Sequence, residues 1–274
     1  KHQLIKKIEK IPLLQIFIYN NLKFFKFLLP HDKDYYALKL IFSKNEKRSF
    51  LDVGGNIGLS SLGFISLGFK KNKIHIFEPD KELVKKYLNP IKKKYKNLNI
   101  HSYGLAKKNS IKKLYMAYYQ SFFFHFNNSF SKKYIKDKLF DNYGEKSKKF
   151  DIKSKSLHLK CFDELKIKEE ICFIKIDVEG LDHEVIFGMK NCIQKFLPTI
   201  LVEYNFSNFS KIHNYLKIKY DCYFYDFINN KLIKLTKNSI KKLKKGIILE
   251  KLFKKNSVNI FFIKRWLLVF SGVF

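Results

Sequence analysis

The stretch Phe50-Leu51-Asp52-Val53-Gly54-Gly55-Asn56-Ile57-Gly58 constrains this chain more than any other part of it. An apolar run ends in a carboxylate, enters a turn with glycines at 54 and 58, and passes into a helical pattern near Leu59. Such glycines let the backbone turn tightly and approach a ligand, and a helix opening there points N–H groups into the same crevice. A nucleotide-like ligand suits that crevice. The Gly-x-Gly-x-x-Gly pattern that seats a pyrophosphate in dinucleotide folds is absent. Asp52 instead stands two residues before the first glycine, where a carboxylate repels a pyrophosphate but can face the ammonium of an amino-acid-like ligand. That favours S-adenosylmethionine over NAD. The next apolar run, Ile74-His75-Ile76-Phe77, ends in Glu78, twenty residues beyond Gly58, the spacing at which an acidic residue accepts hydrogen bonds from ribose hydroxyls. The glycines alone would equally suit an ordinary strand-to-helix turn; a carboxylate at a second strand end tells against it.

From Phe50 the pattern predicts a strand (50–53), a helix (57–68), a strand (73–77), a helix (80–89) and a strand near Leu98–Ser102, the alternation of a parallel sheet with crossover helices. Between about Met116 and Lys155 regularity is lost. That stretch mixes Tyr118, Tyr119, Phe122, Phe123, Phe124, His125 and Phe126 with Asn127, Asn128, Ser129 and many lysines, and reads as an acceptor-binding lid, with strand-and-core as the plainer alternative. Ile171–Ile176 is a buried strand, followed by Asp177-Val178-Glu179-Gly180 and a helix through about Phe196. Thr199–Val202 is a further strand ending at Glu203. Cys222–Phe227 and Val258–Ile263 suit an antiparallel hairpin closing the sheet. The expected organisation is an N-terminal helical extension (1–45) before one domain (46–274). Residues 4–29 alternate lysines with Leu, Ile and Phe around Pro12, as in amphipathic helices whose apolar face packs on the domain's own sheet, on a membrane, or against a second subunit.

The formal charge of +31 invites a nucleic-acid partner, since clustered cations release counterions from phosphates. Its quality argues otherwise. Among 55 cationic residues only Arg48 and Arg265 are arginine, whose planar fork specific phosphate and base recognition favours. The lysines are spread along the whole chain, as in a solvated surface; the alternative is an anionic partner such as an acidic membrane surface, approached peripherally. Cys161, Cys172, Cys192 and Cys222 form no C-x-x-C pair and read as reduced core residues, which fits a cytoplasmic protein. No cleavable signal pattern and no apolar run long enough to span a bilayer is visible.

Taken together, Leu51-Asp52-Val53-Gly54-Gly55-Asn56-Ile57-Gly58, Phe77-Glu78-Pro79, Phe173-Ile174-Lys175-Ile176-Asp177-Val178-Glu179-Gly180 and Leu201-Val202-Glu203 resemble the FkbM family of S-adenosylmethionine-dependent methyltransferases. The resemblance runs from about residue 50 to 205. It implies an α/β class I methyltransferase fold, Rossmann-like, with a seven-stranded, mostly parallel sheet, one antiparallel strand and helices on both faces. It also implies methyl transfer to a hydroxyl of a sugar, glycan or polyketide-like acceptor. By resemblance Asp52, Gly54, Asn56 and Gly58 hold the methionine part of the donor and Glu78 its ribose. Gly55 stands where the family usually has alanine, a mild change, and Asp182 where it often has glutamate.

Asp177, two residues from Glu179, is the best-placed carboxylate to act as general base or to orient the acceptor. An Asp after a strand also commonly caps the following helix. Glu179 can instead shape the turn, and His183, one turn beyond Asp177, is a second candidate base. Asp177 with Glu203 could share a divalent cation, but no third ligand is evident and no metal is expected. An RNA methyltransferase and a non-catalytic donor-binding or membrane-docking scaffold are the competing readings.

Overall fold

The computed structural model describes residues 30–119, 122–178, 180–247 and 259–265. The amphipathic segment 4–29, Glu179 and the apolar tail 266–270 lie outside the described residues. Two compact units divide the chain: residues 1–28 with 111–158, and residues 29–110 with 159–274.

The larger unit is built on an eight-stranded sheet. Its parallel half comprises β1 (Ser49–Val53), β2 (Ile74–Phe77), β3 (Leu98–His101), β8 (Ile171–Ile176) and β9 (Thr199–Glu203), numbered in chain order. The other strands are β10 (Tyr220–Asp226), β11 (Lys231–Lys234) and β12 (Asn259–Lys264). The spatial order is β11-β10-β12-β9-β8-β1-β2-β3. Every junction from β9 to β3 is parallel, whereas β12 runs antiparallel to both β9 and β10, and β11 antiparallel to β10.

The expected seven strands are therefore eight, with two of them reversed. The short β11 follows β10 through the turn at Phe227–Asn230 and covers the edge the sheet would otherwise expose. Nor do the predicted C-terminal strands form a hairpin. They pair antiparallel, but β11 and a helix (Lys237–Lys244) come between them in sequence, and β12 inserts between β10 and β9.

Alternation along the strands divides the core between the two faces of the sheet. Leu51, Val53, Ile174, Ile176 and Val202 belong to one cluster, with Val185 and Ile186 of the helix Asp182–Phe187. Phe50, Phe173, Leu201 and Phe261 belong to the other, with Phe64 of the helix Leu59–Ser66 and with Tyr35, Ala37 and Leu38 of a short helical segment (Lys33–Ala37, Leu38–Ile41). Phe173 joins three other rings of the second cluster, its ring centroid 5.2 Å from Phe50, 5.4 Å from Phe64 and 6.1 Å from Phe42, in edge-on contacts.

Helix boundaries have local causes. Helix Lys81–Leu83 runs into Asn89–Lys94 through a π turn at Val84–Leu88, just before Pro90, which has no N–H to give. The single helix expected through Phe196 is two, Asp182–Phe187 and Lys190–Phe196. At the break a Cβ on Gly188 would stand 2.1 Å from the Ala106 carbonyl oxygen. The second helix begins under the Asp163 carboxylate, which accepts from the N–H groups of Asn191 (2.8 Å) and Cys192 (3.2 Å).

The smaller unit is regular where the sequence suggested irregularity. After the two-residue β4 (Gly104–Leu105), β5 (Ser110–Tyr119) and β6 (Phe122–Ser129) pair antiparallel with a register shift after Met116, and a helix (Lys132–Tyr143) and β7 (Phe150–Lys160) follow. Ala117, Ile135, Leu139 and Phe150 form its small core. The register shift and the density of lysine hide the period-2 signal. All four cysteines are buried free thiols. Among the described residues, no helix is long and apolar enough to cross a membrane.

Phe173→Ala removes a fully buried ring that packs edge-on against three others. The expected cost is about 3–5 kcal/mol in denaturant unfolding; a loss under about 1 kcal/mol would show that the cluster repacks around the gap.

Candidate active site

The chain leaves β1 toward β2 and β3 on one side and later returns to β8 and β9 on the other, so β1 and β8 flank a topological switch point. Register fixes what meets there. Val53 pairs with Phe77 on one side and Ile176 on the other, and Asp52 stands opposite Lys175. The Phe77 carbonyl accepts from both Gly54 N–H (3.0 Å) and Gly55 N–H (3.1 Å), and Asp177 N–H donates to Val53 O (3.0 Å). The turn after β1 is thus tied to both neighbouring strand ends.

Gly54 has φ +85°, and a Cβ there would lie 1.9 Å from Asp177 O, so only glycine lets the two loops touch. Asn56 is exposed with φ 46°, and Gly58, also at φ 85°, occupies the N-cap of Leu59–Ser66 without any side chain to cap it. Glu78 is 6 % exposed. One carboxylate oxygen accepts from Asn56 N–H (2.8 Å) and the other from Asp80 N–H (2.8 Å), so it staples the turn after β1 to the loop after β2. Burial pushes its pKa up to about 7, against the pull of those two backbone bonds.

Lys175 is the residue that the sequence reading passed over. It is 7 % exposed, on the same face of β8 as Phe173. Its Nζ lies 3.2 Å from Asp177 Oδ2, 3.7 Å from Asp52 Oδ1 and 3.5 Å from the Gly54 carbonyl. Burial alone would pull this ammonium down, but Asp177 and Asp52 outweigh it and hold it above the ordinary lysine value. The signal was available: a lysine inside Ile-Cys-Phe-Ile-Lys-Ile, a fully buried strand, needs a counter-charge.

Asp52 does not open into the crevice as its position suggested. It is 0 % exposed, accepts a 2.6 Å hydrogen bond from Ser61 Oγ on its Oδ2, and turns Oδ1 toward Lys175. Asp177 is the outward member, its side chain 45 % exposed. It is not the cap of the next helix, which begins five residues later at Asp182. Asp182, 4 % exposed, closes the intervening loop by accepting from Val178 N–H (3.3 Å) and Asn208 Nδ2 (3.1 Å), while Asn208 Nδ2 also donates to Gly180 O (2.9 Å). His183 packs edge-on against Phe187 at 6.0 Å, with Nε2 3.4 Å from Lys211 Nζ on the helix Phe206–Leu216.

Beside this charge array lies a cavity of about 270 Å³ lined by His31, Asp32, Tyr35, Lys175, Asp177 and Glu203, among others. Its walls are the carboxyl ends of β8 and β9, the start of β12 and the His31–Tyr35 segment. Tyr35 OH is 2.8 Å from Ser60 Oγ, which anchors that segment to the helix after the glycine turn. Asp177 and Glu203 share the wall, yet among the described residues no group of three or more His, Cys, Asp or Glu could hold a metal ion.

A family model described as a methyltransferase FkbM domain matches residues 52–228. The chain belongs to the FkbM methyltransferase family. No curated protein matches it in sequence. Among solved structures it is similar to the methyltransferase FkbM from Methylobacillus flagellatus KT, with TM-score 0.50 and 15 % identity, over 84 % of this chain and 48 % of that one. The chain therefore spans about half the length of that protein, and at this identity the likeness concerns the fold. The FkbM match takes in the glycine turn, Glu78, the Lys175-to-Asp177 strand end and Glu203, and continues past Glu203 through β10.

Two outcomes follow for this FkbM site. Lys175→Met strands the buried Asp52 carboxylate, and the expected loss is about 3–5 kcal/mol. Asp52→Asn combined with Lys175→Met should recover part of it, with a coupling of roughly 0.5–3 kcal/mol in a double-mutant cycle; additive losses would remove the pairing.

The second concerns pH. Burial pushes Asp34 up to about 8, Glu78 to about 7 and Asp182 to about 6. Each binds its proton more tightly folded than unfolded, so its stabilising contribution is complete below the ordinary carboxylate range and is lost as pH rises through about 6 to 8. Four histidines that burial holds below the ordinary imidazole value, His31, His75, His101 and His213, act in the opposite sense, but only up to about pH 6.5, above which the unfolded imidazole is also neutral. The denaturant midpoint should accordingly fall between about pH 7 and pH 8.5, where Asp34 and Glu78 still lose their contribution; a constant or rising midpoint in that window would contradict the shifts.

Proposed function

We propose that this chain is an S-adenosylmethionine-dependent O-methyltransferase acting on a hydroxyl of a sugar, glycan or polyketide-like acceptor. The observation that carries the reading is the placement, at adjoining strand ends of an FkbM-family chain, of a glycine turn stapled to Glu78 beside a cavity walled by Asp177.

The residues present fit the donor. Gly54 and Gly58 leave the turn free of side chains, Asn56 is exposed on it, and the helix N-terminus after Gly58 has no side-chain cap. Gly54, Asn56 and Gly58 would hold the methionine part. Glu78 would hold the ribose, since each of its oxygens gives one lone pair to a backbone N–H and keeps capacity for a hydroxyl. Asp52, wholly buried, contributes through Lys175 and the electrostatics of the turn and not by direct contact. Bound S-adenosylmethionine supplies an electrophilic methyl group on a sulfonium.

What the chain adds is placement and proton handling. Fixing two reactants in one geometry supplies up to about 7–11 kcal/mol of a barrier. The Gly54–Gly58 turn and the cavity wall, tied together by the Val53, Phe77 and Asp177 backbone bonds, provide that fixed geometry. Asp177 orients the acceptor hydroxyl and takes its proton, a contribution of about 10²- to 10⁴-fold. Lys175 keeps the Asp177 carboxylate in place.

Calorimetric titration with S-adenosylmethionine, S-adenosylhomocysteine and NAD tests the donor site. Both adenosyl ligands should bind, NAD should not, and Glu78→Ala should abolish the binding; a folded protein indifferent to adenosyl ligands would refute the reading. Asp177→Asn should retain S-adenosylhomocysteine affinity while transfer slows by about 10²-fold or more. Transfer by that variant at the wild-type rate would remove Asp177 as base.

A further inference from the structure

The sign of the cavity wall is opposite to that of the chain. The protein carries a formal charge of +31, yet among the described residues Asp32, Asp177 and Glu203 face the cavity, against His31 and a single lysine. That lysine is already engaged: Lys175 lies between Asp177 at 3.2 Å and Asp52 at 3.7 Å, and a third anion on its ammonium would have to displace one of them. Two polar side chains of the lining without formal charge, Tyr35 and Asn259, are also committed. Tyr35 OH is 2.8 Å from Ser60 Oγ, and Asn259 Nδ2 donates to Asp32 Oδ2 at 2.6 Å. Asp32 Oδ1 in turn accepts from Asp34 N–H at 2.9 Å.

From this arrangement the geometry points to a charge-selective acceptor site: the cavity admits a single polyhydroxylated ring that is neutral or carries an ammonium group, and rejects a phosphorylated one. The inference rests on the methyltransferase reading and names the acceptor class of that same site.

The chemistry is one of donors and acceptors. An ionised carboxylate only accepts hydrogen bonds, with about four lone-pair positions on its two oxygens. Asp177 uses one of these for Lys175 and presents a side chain 45 % exposed, so what it and Glu203 ask of a ligand is O–H or N⁺–H groups. A sugar or cyclitol ring offers a hydroxyl on nearly every carbon, and an amino sugar adds an ammonium that two carboxylates on one wall hold more strongly. A phosphate offers neither. It brings unprotonated oxygens toward carboxylates, and like charges in contact repel even where solvent screens them in part.

Size points the same way. About 270 Å³ falls below the usual range of pockets for drug-sized ligands, roughly 300–1,000 Å³, and suits one ring better than a nucleotide. The basic exterior can draw an anionic molecule to the surface, but among the described residues the cavity offers its phosphate no uncommitted cation, since Lys175 is already paired and burial holds His31 toward its neutral form. The same wall therefore tells against RNA as the acceptor.

The test separates donor from acceptor. S-adenosylhomocysteine is titrated first, and its failure to bind would refute the methyltransferase reading itself. On the full chain saturated with that ligand, calorimetry is then run with methyl glucoside, glucosamine and glucose 6-phosphate as probes. Glucosamine or methyl glucoside should bind at least tenfold more tightly than glucose 6-phosphate. Asp177→Asn and Glu203→Gln, both at solvent-accessible positions, should each weaken the amino sugar at least fivefold while S-adenosylhomocysteine affinity stays within twofold. The proposal is overturned if glucose 6-phosphate binds as tightly as the other two, if neither unphosphorylated ring binds the saturated protein, or if the carboxylate variants bind glucosamine unchanged.

Discussion

One buried ammonium organises this site. Lys175 sits in a strand whose other five residues are apolar or cysteine, all of them buried, and taking such a charge out of water costs several kcal/mol unless it is paired and hydrogen-bonded. Two carboxylates meet it, from β1 and from the loop after β8, and the Gly54 carbonyl completes its surroundings. This pairing requires the observed register, with Asp52 opposite Lys175. Sliding β8 by one residue would turn the lysine into the opposite apolar face, among Val53, Val185 and Ile186. The charge array thus specifies how the two central strands align, and the alignment brings the glycine turn and Asp177 to the same edge.

The three acidic residues around the crevice then divide by exposure. Asp52 is sealed and serves the lysine, Glu78 is sealed and serves the turn, and Asp177 alone of the three reaches substantially into solvent. A carboxylate that must accept a proton from an acceptor hydroxyl has to be reachable, whereas one that fixes a backbone turn, as Glu78 does with the lone pairs it does not keep for the ribose, is better held away from water, where its hydrogen bonds are not contested. Sequence spacing shows that carboxylates stand near strand ends, but not which of them is covered. That depends on Ser61, Lys175 and the Tyr35 segment, which come from elsewhere in the chain.

The same distinction separates what was legible in the sequence from what was not. β1, β2, β8 and β9 were readable because they are buried on both faces and appear as continuous apolar runs ended by Asp, Glu or Gly. The Gly54 and Gly58 positions were readable because left-handed backbone and close approach leave little choice of residue. β5 and β7 stood only as the alternative to an irregular lid because their lysines fall on both faces, Lys112 beside Lys113 and Lys153 and Lys155 against Lys160, which breaks the alternation, and the added edge strand β11 was missed because Lys231-Leu232-Ile233-Lys234 is too short to show a period. The break at Gly188 was hidden because its cause, Ala106 O, lies some eighty residues away. Lys175 is legible as the glycines are: it lies within the Lys-Ile-Asp-Val-Glu-Gly block, and a lysine in a core strand is a greater anomaly than the carboxylate two residues on.

Gly55 shows how a departure from the family pattern can be absorbed by packing. Alanine is usual at this position in the family, and the substitution read as mild. Here a Cβ on residue 55 would lie 2.2 Å from Ile76 Cγ2, a branched atom on Cβ with little freedom to move aside. Glycine at 55 and isoleucine at 76 therefore belong together: the space a methyl group would fill beneath the turn is taken from the β2 side. The backbone does not register the exchange, because Gly55 N–H still donates to Phe77 O beside Gly54 N–H. The donor-facing side of the turn is set by those two bonds and by the positive φ of Gly54 and Gly58, whichever strand supplies the carbon beneath it.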